Sequence, residues 1–63
     1  MKTEYLLRPK PRVVLRGHPP VNGYEVIEIM HNVEGIIRMR TLHWVRTVTQ
    51  ARQWVQTNKG AKL

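Results

Sequence analysis

Asn32-Val33-Glu34-Gly35 stands between two runs in which β-branched and apolar residues alternate with polar ones, and a turn there constrains the fold more than any other feature. Asn at the first position and Gly at the fourth suit a type I turn closed by a left-handed residue, which makes a three-residue hairpin loop with a bulge. Counting outward sets residue 32 opposite residue 36, so odd residues oppose odd ones and even oppose even. A β-hairpin with strands over 24–32 and 36–46 is expected.

On this register the odd side carries Ile27, Ile29, Ile37, Met39 and Val45, an apolar surface suited to a core. The even side pairs Glu28 with Arg40, Val26 with Leu42 and Tyr24 with Trp44, cross-strand couples worth roughly 0.2 to 1 kcal/mol each. Arg38 and Arg46 project from that same side. A two-residue loop at Glu34-Gly35 would instead set Ile29 opposite Arg40 and mix charge with aliphatics on both sides, so the three-residue loop is the self-consistent choice. His43 falls opposite Glu25 and His31 opposite Ile37, near opposite ends of the hairpin. That separation rules out a shared metal within one chain, and the Glu25–His43 pair reads as a structural contact.

A helix is expected over 48–59. Thr47 followed three residues later by Gln50 is a capping-box pattern, in which side chains satisfy free N–H groups of the first turn. Val48, Ala51 and Val55 recur at helical spacing with Trp54 on the flank, giving one apolar stripe to lay on the odd side of the hairpin. Trp54 is read as core against the sheet, or else as a seal between two copies. Gly60 suits the position just past a helix end, Lys59 and Lys62 complement its negative pole, and residues 61–63 are expected to fray.

Residues 1–23 hold all four prolines, two of the four glycines, and five of the eleven basic residues against one acid, Glu4. Pro9, Pro11, Pro19 and Pro20 donate no backbone hydrogen bond and bias their predecessors toward extended shapes. This segment reads as a basic arm with one short edge strand at 12–16, followed by a Pro/Gly loop. The fold class that results is α+β: a small three-stranded antiparallel sheet backed on one face by a single C-terminal helix, β-β-β-α. One helix cannot clad both sheet faces, so the even face is expected to stay open.

A chain of 63 residues hides only roughly 60% of its unfolded surface, and with no cysteine it has neither disulfides nor thiolate metal sites as staples. No apolar run approaches membrane-spanning length, and the N-terminal apolar stretch ends after three residues, unlike a signal peptide; a cytoplasmic location is expected. The formal charge of +7 creates a field that draws in polyanions and acidic surfaces. No glycine-rich phosphate loop, nucleophile elbow or zinc-ligand spacing occurs, so neither catalysis nor a cofactor is expected.

Function is therefore expected in a binding face. Arg38, Arg40 and Arg46 around Trp44 and Tyr24, joined by Lys10, Arg12 and Arg16 of the arm, offer guanidinium forks for phosphates and aromatic planes for stacking. Nucleic acid, duplex DNA slightly ahead of RNA, is the expected partner. The alternative is a protein-protein module, an inhibitor or adaptor docking on an acidic protein surface, with a homodimer as a further option. In strand order alone, the layout resembles the arm-site DNA-binding domains of some phage tyrosine recombinases and the plant AP2 domains; no signature motif of either is present. It also resembles small phage proteins that inhibit host enzymes. These resemblances imply an accessory protein of a phage or mobile element.

Overall fold

A computed structural model describes all 63 residues and has the expected β-β-β-α order: β1 Lys2–Pro9, β2 Tyr24–Asn32, β3 Gly35–Val45 and α1 Val48–Lys59. The sheet is antiparallel with β2 at its centre. The molecule measures 46 by 22 by 13 Å, thin in the direction where a second covering layer would lie.

The edge strand lies at Lys2–Pro9, not at 12–16. Alternation explains the choice: Tyr5 and Leu7 face Glu28 and Val26, while Leu6 faces Ile27. Pro9 is tolerated as the last residue of an edge strand, where its missing N–H breaks no ladder. Of the segment 12–16, only Arg12 bridges, to Val21.

The hairpin departs from the expected register at both ends. Asn32 pairs directly with Gly35 across the two residues Val33 and Glu34, and Asn32 Oδ1 accepts a 2.8 Å hydrogen bond from the Glu34 N–H. A first bulge, at Ile37, restores the expected pairing in the middle: Met30 with Arg38, Ile29 with Met39, Glu28 with Arg40. Consequently His31 opposes Ile36 and not Ile37. A second bulge leaves Leu42 without a partner, since Ile27 opposes Thr41 and Val26 opposes His43. Two residues against one on the partner strand invert the phase of the remaining strand. Tyr24 therefore pairs with Val45 and Glu25 with Trp44, in place of the expected Tyr24–Trp44 and Glu25–His43 couples.

That inversion decides where α1 packs. Val26, Val45, Ala51 and Val55 form the buried cluster, flanked by Tyr5, Leu7, Tyr24, Trp54, Ala61 and Leu63. The helix thus covers the even side of β2, and the expectation that it lies on Ile27, Ile29 and Met39 is overturned. Val45, turned to the side of Val26 by the Leu42 bulge, ends β3 just two residues before α1 begins, so the short connection delivers the helix to that side. His43 stacks on Trp54 there, with centroids 5.0 Å apart. The opposite face stays open: Ile27 and Ile29 are buried by neighbouring strands, but Leu6, Ile36 and Met39 remain exposed.

Both helix caps form. Thr47 Oγ1 accepts from the Gln50 N–H at 3.1 Å, while Gln50 Oε1 accepts from the Arg46 N–H, one residue before the usual capping-box donor. Gly60, at φ 62°, takes the left-handed turn and donates to the Gln56 carbonyl. Ala61 and Leu63 pack back onto the core.

Removing two methyl groups from the fully buried side chain at 26 should cost about 2 kcal/mol. Met39→Ser on the open face should cost less than about 0.5 kcal/mol. Urea denaturation of Val26→Ala and Met39→Ser is expected to give that order, and the reverse order would place the helix on the odd side.

Candidate nucleic-acid interface

The eight residues expected to form one contact surface divide into three groups. Tyr24, Arg38 and Arg40 share the helix side of the sheet, opposite Val45, Met30 and Glu28 respectively. Trp44 points to the open side, opposite Glu25, and holds the base of the arm that carries Lys10, Arg12 and Arg16. Arg46 lies in the connection to α1. A single Arg/Trp sheet face does not exist, because the phase change at Leu42 separates Trp44 from Arg38 and Arg40.

What the fold assembles instead is a projecting arm, residues 10–23. The β1–β2 ladder continues beyond the strands in unchanged register: the Lys10 N–H donates to the Gly23 carbonyl at 2.9 Å, and Arg12 and Val21 exchange hydrogen bonds at 3.0 and 2.8 Å. Beyond them the chain turns, with the His18 N–H donating to the Leu15 carbonyl. Prolines at 11, 19 and 20 leave these ladder positions free, so this segment is a two-stranded ribbon at its base and an exposed loop at its tip.

Trp44 pins the ribbon to the sheet. Its indole Nε1 donates a 2.8 Å hydrogen bond to the Lys10 carbonyl, and the Arg12 guanidinium lies 5.7 Å from the ring centroid in cation–π geometry. The ring crosses Gly23 so closely that a Cβ there would collide with it and lie 2.7 Å from the Val45 carbonyl oxygen. Trp44 is thus a structural clamp and not a free stacking platform. Residue order along the arm hides this contact, since Lys10, Gly23 and Trp44 are far apart in the chain; the run Tyr5–Pro9, paired against Tyr24–Glu28, is the signal that brings them together.

Three of the four carboxylates are consumed by structure. Glu28, buried, takes hydrogen bonds from Arg40 Nε at 2.7 Å and from the Tyr5 hydroxyl at 3.2 Å, with Lys59 Nζ at 3.9 Å. The Arg40 hydrogen bond is the main cause of its depressed pKa and outweighs desolvation, which acts the other way. Burial, with the Glu28 charge beside it, pushes the Tyr5 hydroxyl up. Glu25 is held low by Arg8 at 2.8 Å and by Thr41, and Glu4 by Lys2 at 3.3 Å. His31 Nε2 is buried, 3.5 Å from Glu4 Oε2, and has no hydrogen-bond partner. Lys10, Arg12, Arg16, Arg38, Arg46, Arg52 and Lys62 have no carboxylate partner, and three of these seven sit on the arm.

No group of three or more His, Asp or Glu side chains comes together in a metal-binding cluster, and no helix is long and apolar enough to cross a membrane. The widest depression, between the end of β3 and α1, is shallow and lined by His43, Trp54, Gln50 and Asn58 among others. Comparison with models of known families, with curated proteins and with solved structures gave no match for this chain.

Carboxylates whose folded pKa lies below the unfolded value of 4.5 stabilise the fold above that pH, and the contribution disappears as pH falls through the depressed value. Stability should therefore fall below about pH 4.5. In Glu28→Gln, the acid limb of stability against pH, followed by far-UV circular dichroism in urea, should flatten. Gly23→Ala should destabilise the chain by about 1 to 3 kcal/mol through the Trp44 collision; an unchanged urea midpoint would mean that the clamp does not form.

Proposed function

We propose that this is a non-enzymatic nucleic-acid-binding protein that engages duplex DNA with the arm of residues 10–23. The observation that carries this reading is the arm itself, a projecting ribbon with three unpaired cations and no acid between Glu4 and Glu25. Lys10, Arg12 and Arg16 supply phosphate contacts, which dominate affinity and position a protein on the duplex without reading bases. The tip adds apolar groups, with Val13, Val14 and Leu15 all more than half exposed beside Pro19 and Pro20. Small apolar wedges of this kind, flanked by cations, enter a minor groove and part a base step. Arg38, Arg46, Arg52 and Lys62 lie outside the arm and contribute the long-range field that draws the polyanion in.

A second reading rests on the same tip: three exposed aliphatic residues between Arg12 and Arg16 would also dock on an acidic protein surface with an apolar centre. Salt dependence alone does not separate the two, because both partners are anionic.

The test is fluorescence anisotropy with a short duplex over a salt series. The DNA reading expects the log–log slope to lose about 1.8 units in Arg12→Ala/Arg16→Ala, near 0.9 per lost phosphate contact. Unchanged affinity and slope in a folded double variant would end it. Retention of one stoichiometric protein from nuclease-treated lysate, lost in the same variant, would favour the docking reading.

A further inference from the structure

The sheet face left bare by α1 is apolar along the middle of its paired strands, and its two carboxylates are each paired with a cation, leaving Lys10 and Arg12 as unpaired cations at the arm end alone. At its centre Leu6 lies opposite Ile27, and Ile36, Met39 and Leu6 are 59, 55 and 38% exposed. Toward one end sit Lys2, Glu4 and His31, and toward the other Arg8 and Glu25, each end with one carboxylate held by a cation of the same face, while Thr41, opposite Ile27 in the central row, donates to Glu25. Arg38 and Arg40 point to the other side of the sheet, opposite Met30 and Glu28. A polyanion gains little from such a surface, whereas an apolar partner with matched ends gains burial without unpaired charge.

We propose that this face binds a second copy of the chain, forming a two-fold dimer of stacked sheets. Charge placement selects the occupant. Along β1, Glu4 and Arg8 lie two residues to either side of Leu6, and all three share the open face. A two-fold axis lying between the sheets, across the strands at Leu6 and Ile27, places each copy's β1 over its partner's β1 in reverse direction. Glu4 of one copy then meets Arg8 of the other, twice, around an apolar centre that is complementary to itself. Stacked sheets of this kind lie about 10 Å apart with strands within about 30° of one another. The cations without carboxylate partners do not lie in the apolar centre, so the repulsion between two copies of charge +7 acts from the periphery and is screened by salt.

Size is adequate for a reversible assembly. The broad side of the molecule is 46 by 22 Å, about 1,000 Å² in plan, against roughly 800 Å² per partner in a standard interface. Its strand-paired part alone is about 26 by 15 Å, near 400 Å², which sets the dimer among the weak, reversible assemblies. The dimer would bury the face that a short, disulfide-free chain leaves exposed. It is independent of what the arm binds.

Sedimentation equilibrium of the full chain across a range of concentrations tests this. A monomer–dimer equilibrium is expected, and Leu6→Glu, folded by circular dichroism, should weaken it at least about tenfold, as expected of a central apolar contact. Glu4→Arg should also weaken it, because it sets like charges together at both cross-copy contacts. A monomer at every concentration would overturn the proposal. So would a dimer indifferent to Leu6→Glu, which would pair through the free edges of β1 or β3, or one indifferent to Glu4→Arg.

Discussion

Leu42 has no partner on β2, and the resulting change of phase turns His43 and Val45 toward Val26 while sending Trp44 to the other side of the sheet. A bulge is a local event, one residue long, but period-two alternation carries its effect to the end of the strand. The helix follows Val45 to that side and closes on Val26 with Ala51 and Val55. Trp44, sent the opposite way, reaches Lys10 and Gly23 and holds the arm. Core, open face and arm all depend on this inversion.

Charge is partitioned along the same lines. Glu28 beneath the helix side gathers Arg40, Lys59 and Tyr5, while Glu4 and Glu25 neutralise the ends of the open face. Three of the four acids are thereby used inside the fold. The cations left over, on the arm, on the helix side of β3, at the connection before α1 and around the helix, give the molecule its positive field away from the middle of its apolar side. A flat protein with one balanced apolar face and one charged projecting ribbon has two separate surfaces to offer.

The parts legible in the sequence were those written in local residues. Thr47 and Gly60 mark the helix ends because capping chemistry acts within a turn, and Glu28 opposite Arg40 comes from counting across a nearby hairpin. The side of the sheet that the helix covers was not legible. Ile27, Ile29 and Met39 make the more apolar side of the hairpin, yet the helix lies where Val45 directs it, and that depends on a bulge with no glycine or proline to announce it. Prolines 9 and 11 masked β1, although Tyr5 and Leu7 alternate correctly against Glu28 and Val26. The arginine spacing correctly placed Arg38 and Arg40 together, whereas their association with Trp44 depended on the phase that Leu42 alters.

The central claim concerns which face is inside, and methyl-resolved NOE spectroscopy on selectively labelled protein reads it directly. Cross-peaks from Val26 and Val45 to Ala51 and Val55, with none from Ile27 or Ile29 to the helix, are the predicted result. Cross-peaks joining Ile29 or Met39 to Val55 would contradict it.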